Sequence, residues 1–333
     1  MSDAGIKTVA AVELEDKYLQ SLEANNPNVT TYCGDLAKID ISMLPKADMV
    51  VAGIPCEGYS QAQTKKSEKF EAHPTGSLGF YVLKIIDAIR PAVVLIENVK
   101  NFKSSAMASM TRYVLDSMGY HISETELVGS DYGSLTKRKR YCMVASIKKG
   151  FEFDDSLKKI NTRTVRDVLE VPVENRDWLD KNNSATISYS LEKEKEHIRK
   201  GEGFRIGRTY LDDKVTPTIT KGYFKGRLTD PILCHPTIPD TYSWLTPREL
   251  ARINGLPEDF LLTDTKSTNG EIIGQGVCYE AFNAVGKMII NHFNSEDFDA
   301  DKHKLDLFKS TISENNINYS DEQLSCFMSG SLF

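Results

Sequence analysis

Apolar residues in the first half of the chain fall into short runs separated by helical stretches. Thr8-Val9-Ala10-Ala11-Val12 reads as a strand closing at Glu13. Asn28-Val29-Thr30-Thr31-Tyr32 reads as a second, closing at Cys33-Gly34-Asp35-Leu36, with a helix through Tyr18 and Leu22 between them. The β-branched run Asp48-Met49-Val50-Val51-Ala52-Gly53, stopped by glycine and proline, has the character of a buried strand. Leu78, Val82, Ile85, Ile86 and Ile89 share one face of a helix, and Ala92-Val93-Val94-Leu95-Ile96 is a further buried strand. A helix near Ala108 to Met118 precedes strands around 121–128 and 140–147. Strands alternating with helices predict an α/β fold with a doubly wound, mainly parallel sheet over residues 1–150. Beyond that the pattern loosens and charge rises. Residues 151–245 read as a small inserted lobe, 246–293 as a helical return to the first domain, and 294–333 as a polar, acidic tail. No internal repeat is found.

The strand ends carry the chemistry. Ile54-Pro55-Cys56-Glu57 follows the third strand, and Glu97-Asn98-Val99 follows the fourth. Ligands of α/β sheets bind outside the carboxyl ends of the strands. A thiol and a carboxylate at two such tips can share one cleft. Taken singly, a cysteine after a strand is usually a small buried hydrophobe and a glutamate a turn residue.

Composition narrows the classes. Six cysteines without a CxxC or Cys/His pairing argue against zinc and against a disulfide framework. No signal peptide and no apolar run of about 18 residues is found, so the expected setting is a reducing cytoplasm in which Cys56 is a free thiol. The net charge of −6 does not advertise a polyanionic partner. Basic residues are nevertheless clustered at Lys65-Lys66, Lys137 to Arg140, and Arg199-Lys200 with Arg205 and Arg208, and a patch rather than the total meets phosphate.

Five blocks, in order over roughly residues 5 to 293, resemble those of DNA (cytosine-5) methyltransferases of the phage, mobile-element or restriction-modification type. Pro55-Cys56-x-x-Tyr59-Ser60 is similar to their nucleophile motif, and Glu97-Asn98-Val99 to their second catalytic motif. Thr136-Lys137-Arg138-Lys139-Arg140 resembles their Gln-x-Arg-x-Arg motif, with threonine in the first place. Leu245-Thr246-Pro247-Arg248-Glu249-Leu250 resembles the helix after their recognition region, and Ile273-Gly274-Gln275-Gly276-Val277 their last block. Agreement of five blocks in register is far more specific than any one motif.

The resemblance implies a Rossmann-like, S-adenosyl-L-methionine-dependent sheet over 1–150 and a target-recognition lobe over 151–245. It implies that Cys56 adds to C6 of a cytosine flipped out of double-stranded DNA and that Glu97 donates at N3. One of Arg138 and Arg140 would hold O2, with Arg140 favoured. Glu13, at a strand tip, is placed to read ribose hydroxyls, and Asp35 an adenine amino group. Leu14, Leu36, Pro55, Gly276 and Val277 complete the expected cofactor contacts. Ser60, Gln61, Gln63, Lys65 and Lys66 would close over the extruded base. Arg205, Arg208, Lys221 and Lys225 are the candidates for DNA contact in the lobe. No metal and no membrane is expected.

One family feature is not found. The aromatic-x-Gly-x-Gly-Gly loop would lie about ten residues before Ala4-Gly5-Ile6, so the first strand and its loop are expected to be missing. A misassigned or truncated start, a second chain supplying the strand, and a degenerate relative all stay open. The functional readings are therefore a DNA methyltransferase, a DNA-binding pseudoenzyme or split subunit, and an RNA cytosine-5 methyltransferase.

Overall fold

The computed structural model describes residues 2–55 and 77–294. Cys56, Ser60, Gln61, Gln63, Lys65 and Lys66 lie outside the described residues, as does the tail from residue 295.

The first half is the alternating array that the apolar runs predict. In chain order come β1 (Ala10–Glu13), α1 (Asp16–Asn25), β2 (Thr30–Cys33), β3 (Met49–Gly53), α2 (Leu78–Ile89), β4 (Val93–Asn98), α3 (Ala106–Ser117), β5 (His121–Val128) and β6 (Lys139–Ser146). β1 and β2 are parallel, with Glu13 opposite Cys33, and form a two-stranded sheet. β3 and β4 are parallel, with Gly53 opposite Glu97, in a four-stranded sheet of order β3-β4-β6-β5. The parallel pairs and the intervening helices are the expected α/β fold.

The second half holds α4 (Ala185–Arg199), β7 (Gly207–Thr209), β8 (Pro231–Cys234), β9 (Tyr242–Ser243), α5 (Pro247–Ile253), α6 (Lys266–Gln275) and α7 (Tyr279–Asn294). β7, β8 and β9 form a small sheet of their own. Residues 246–294 are largely helical, as their pattern predicts.

Two compact units emerge. The first gathers Met1–Ile39, Glu126–Tyr141 and Phe153–Met288; the second gathers Asp40–Thr125, Cys142–Glu152 and the chain from Ile289. In the second unit, Val94, Leu95, Ile96, Ile86, Phe102 and Leu115 are wholly buried. Burial of this many branched and aromatic side chains is the main force holding β4 between its helices. α2 crosses α3 closely at Gly79, where a Cβ would stand 2.4 Å from the Met107 sulfur.

Two apolar clusters are seen among the described residues of the first unit. One joins Val165, Val168, Leu211, Ile219 and Tyr223 to Leu245, Leu250, Ile253 and Ile273. The other joins Ile187 and Leu191 of α4 to Ile206, Leu228, Ile232 and Tyr242. α5 starts with a capping box: Thr246 accepts from the Glu249 amide, and Glu249 accepts from the Thr246 amide. Glu249, fully buried, also receives the amides of Glu170 and Val171 and the guanidinium of the buried Arg176. One carboxylate thus ties segment 170–176 to α5. A buried carboxylate requires such partners.

Candidate functional site

In the second unit, β3 and β4 end side by side. Gly53 faces Glu97 closely enough that a Cβ on the glycine would stand 3.6 Å from the Glu97 carboxylate. Beyond β3, Ile54 is buried and Pro55 half-buried. The amide of Asn98, itself only 1 % exposed, donates to the Ile54 carbonyl at 3.1 Å. Its oxygen accepts the Val99 amide at 2.8 Å. Asn98 therefore stitches the backbone just ahead of Pro55 to the end of β4. Glu97 also makes itself felt at Cys142 on β6, whose thiol is pushed well up by burial and then by the Glu97 charge. Cys142 is an inert core thiol, not a nucleophile.

In the first unit, the arginines of the Thr136–Arg140 motif part company. Arg138 is 3 % exposed and donates to the Ile219 carbonyl at 2.9 Å and the Gln275 carbonyl at 3.1 Å. Arg140 is half-buried and donates to the Lys139 carbonyl at 2.8 Å. Thr136, where the family motif has glutamine, is fully buried and its backbone bridges to Thr216. Its hydroxyl has no hydrogen-bond partner among the described residues. Two backbone carbonyls, rather than that hydroxyl, hold the Arg138 guanidinium.

α6 comes against the Thr220–Lys221 backbone so closely that a Cβ at Gly274 would stand 2.2 Å from the Thr220 carbonyl carbon. Only glycine permits that approach, and it brings the Ile219 and Gln275 carbonyls to one guanidinium. Gln275 continues the network: its side-chain amide donates to the Tyr18 hydroxyl at 3.0 Å and the Glu271 carbonyl at 3.3 Å. Glu271 accepts from Lys17 at 2.6 Å and Tyr18 at 3.0 Å, and pairs with Lys225 at 2.9 Å. These donors, Lys17 foremost and then Lys225, hold its carboxyl down at about 2. Glu271 went unremarked in the sequence; its i, i+4 relation to Gln275 on α6 is the one signal that singles it out.

The expected cofactor residues of the first unit cluster at the ends of β1 and β2. Glu13 accepts from the Glu15 amide through one oxygen at 3.0 Å, and Asp35 from the Ala37 amide at 3.0 Å. Each keeps its second carboxylate oxygen clear of any described donor. Leu14 beside them is 62 % exposed, a large apolar group at a polar edge, and Leu36 is half-buried. Two carboxylates on adjacent strand tips and an apolar side chain suit an adenosine, with hydroxyls and an amino group as donors and a flat ring to cover. Gly276 ends α6 with its amide on the Ile272 carbonyl at 2.9 Å, and Val277 accepts from the Asn254 side chain at 3.2 Å. Pro55 belongs to the second unit.

The lobe cations are unequally engaged. Arg208 grips Glu194 with two bonds of 2.8 Å, and its guanidinium pKa is raised first by that bonding. Lys225 is held by Glu271. Arg205 is exposed and donates to the Glu202 and Phe204 carbonyls at 2.8 and 2.7 Å. Lys221 is exposed. No group of three or more metal-binding side chains is found, and no helix is long and apolar enough to cross a membrane, both among the described residues.

Known proteins align with this arrangement along most of the chain. The profile of the C-5 cytosine-specific DNA methylases matches residues 1–291. The Type II methyltransferase M.DsaV of Dactylococcopsis salina is 27% identical over 322 residues, covering 92% of this chain and 86% of that protein. M.NlaX of Neisseria lactamica is 27% identical over 288 residues, covering 85% and 88%. Among solved structures, the S. pombe Dnmt2 methyltransferase superposes with a TM-score of 0.68 at 18% identity, over 87% of this chain and 94% of that one. A putative DNA modification methyltransferase encoded within an E. coli prophage gives 0.62 at 20% identity, over 88% and 95%.

Proposed function

The chain belongs to the C-5 cytosine-specific DNA methylase family, and from that premise we propose that it methylates C5 of a cytosine in double-stranded DNA through a covalent Cys56–C6 adduct. The observation that carries the reading is the Gly53–Glu97 register, braced by Asn98: it sets the carboxylate beside the strand from which Cys56 follows. Relatives named as Type II methyltransferases support it.

The chemistry follows from the groups. Cytosine C5 is a weak nucleophile until C6 is saturated. The Cys56 thiolate forms the S–C6 bond, and the electron pair of the C5=C6 double bond moves into the ring toward N3. Glu97 gives a proton to N3 as that charge develops. Arg140 is the arginine assigned to O2, while Arg138 donates to two backbone carbonyls. S-adenosyl-L-methionine supplies the methyl group, with Glu13, Leu14, Asp35 and Leu36 holding its adenosine half and Pro55, Gly276 and Val277 completing the contacts. Loss of the C5 proton then expels the Cys56 thiolate and restores the ring. A stacked cytosine cannot present C6, so the base leaves the helix, and Ser60, Gln61, Gln63, Lys65 and Lys66 are the residues assigned to close over it.

The test is a duplex carrying 5-fluorocytosine in place of cytosine, incubated with S-adenosyl-L-methionine and the full chain. The fluorine cannot leave as a proton does, so a denaturation-resistant adduct should accumulate and should vanish in Cys56→Ser. An adduct on RNA but not on DNA, or duplex binding without any adduct or methyl transfer, sinks the proposal.

A further inference from the structure

A second depression lies in the lobe, outside the residues given roles above. It has a volume of about 310 Å³ and lies between α4 and the turn Gly226–Thr229. The size is at the small end of ligand pockets, enough for one nucleotide unit and too little for a helix of any kind. One face of α4 supplies Tyr189, Ser190 and Lys193, and Phe204 closes the floor. Gly226, in the left-handed region at φ 82°, turns the chain back so that Arg227 and Thr229 form the far wall.

Tyr189, 65 % exposed, presents its ring at the rim beside the half-buried Phe204. Lys193 holds its ammonium 4.7 Å from the Phe204 ring centre and 5.8 Å from that of Tyr189. Among the described residues no carboxylate is within ion-pair distance of Lys193. Arg227 uses only its Nε, toward Thr229 at 3.4 Å and Asp230 at 3.9 Å, and its two terminal nitrogens bond no described residue. Lys193 thus differs from Arg208 and Lys225, whose charges are taken up by Glu194 and Glu271, while Arg227 is paired with Asp230 through Nε alone.

We propose that this depression seats one nucleotide of the bound DNA other than the target cytosine, its base stacked on Tyr189 and Phe204 and its phosphates met by Lys193 and Arg227. Every base offers a π-face, so rings of this kind hold an unstacked base whatever its identity. The flexible stem of Lys193 lets its ammonium move from the rings to a phosphate. Seryl and threonyl hydroxyls at Ser190 and Thr229 can then read a base edge. The inference rests on the DNA-methylating reading above.

The experiment compares the full chain with Tyr189→Ala and with the double variant Lys193→Gln/Arg227→Gln, all exposed or half-exposed positions, after equal melting temperatures have been established. A labelled duplex of mixed sequence is titrated at several salt concentrations, and S-adenosyl-L-methionine affinity is measured beside it. Tyr189→Ala should weaken duplex binding about tenfold. The double variant should lower the salt slope by about two. Cofactor affinity should stay the same. Unchanged duplex affinity in both variants overturns the seat while leaving the methyltransferase reading intact. A wild-type chain that binds no duplex overturns both. If thymidine monophosphate alone binds in a Tyr189-dependent way while duplex affinity is indifferent to the variants, the site takes free nucleotides and the assignment to DNA falls.

Discussion

The Asn98 side chain donates to the Ile54 carbonyl at 3.1 Å, inside a core where Asn98 is 1 % exposed. It is a cross-strand brace at the place where β3 hands the chain to Pro55. Asn98→Ala leaves that carbonyl without its donor and opens a small void. We expect a loss of about 1–3 kcal/mol in urea unfolding. Methyl transfer should fall by more than the unfolded fraction explains, because the backbone leading to Cys56 is released. A variant with lowered stability and full activity per folded molecule would show that the brace serves the fold alone.

Arg138 and Arg140 should separate by readout. Arg138→Met removes a buried charge from two carbonyls and should cost about 2–4 kcal/mol of stability. Arg140→Met should cost less than about 1 kcal/mol and lower kcat by about 10²–10³, the range for losing one preorganised donor at a developing charge. Denaturant melts and single-turnover methylation decide it. If the two variants swap effects, Arg138 is the base-holding arginine.

Glu271 makes the fold sensitive to acid in a defined window. Its folded pKa, about 2, lies below the ordinary glutamate value of 4.5. The stability it contributes is therefore complete above about pH 4.5 and disappears as pH falls toward 2. The difference in urea midpoint between wild type and Glu271→Gln should be largest at neutral pH and shrink through that window. A difference that is constant with pH would mean that the carboxylate charge is not what Lys17 and Lys225 hold.

Arg208 and Glu194 form a pair whose carboxylate is 8 % exposed. Arg208→Ala strands that carboxylate and should destabilise by about 3–5 kcal/mol. The double change Arg208→Met/Glu194→Leu should recover most of the loss. If Arg208 contacts DNA instead, duplex affinity will fall in the double variant while stability returns.

Glu13→Gln and Asp35→Asn keep shape and remove charge at two half-buried strand-end positions. Each should weaken S-adenosyl-L-methionine by about tenfold in calorimetry, a charge-assisted hydrogen bond becoming a neutral one. The melting temperature of the ligand-free chain should not move. No change in affinity would remove these carboxylates from the cofactor site.

β4 was legible because burial on two faces leaves the uninterrupted apolar run Val93 to Ile96, and α2 because it keeps its apolar residues on one face; β3 was read as buried from the same kind of run, yet Val51 in it is 54 % exposed. Glu97 and Glu13 were legible for the same reason: each is the first polar residue after such a run. Partners of opposite charge were not legible. Arg208 lies 14 positions from Glu194, and Lys225 lies 46 from Glu271, and no periodicity links them. Both therefore passed for free cations. The division between Arg138 and Arg140 escaped as well, since it depends on the backbone of residues 219 and 275, brought near by Gly274 rather than by anything in the motif.

Among the described residues, β1 and β2 are hydrogen-bonded in a sheet of two strands, yet their tips carry Glu13 and Asp35. A ribbon that narrow is marginal without help. The amides of residues 10–13 and 30–33 should thus be among the first in the first unit to exchange with heavy water, at an opening energy well below that of global unfolding. On the function proposed above, S-adenosyl-L-methionine would grip both carboxylates and close the ribbon as it binds. Occupancy and local order would then be a single equilibrium, and amide protection along Ala10–Glu13 would gauge the bound cofactor in solution.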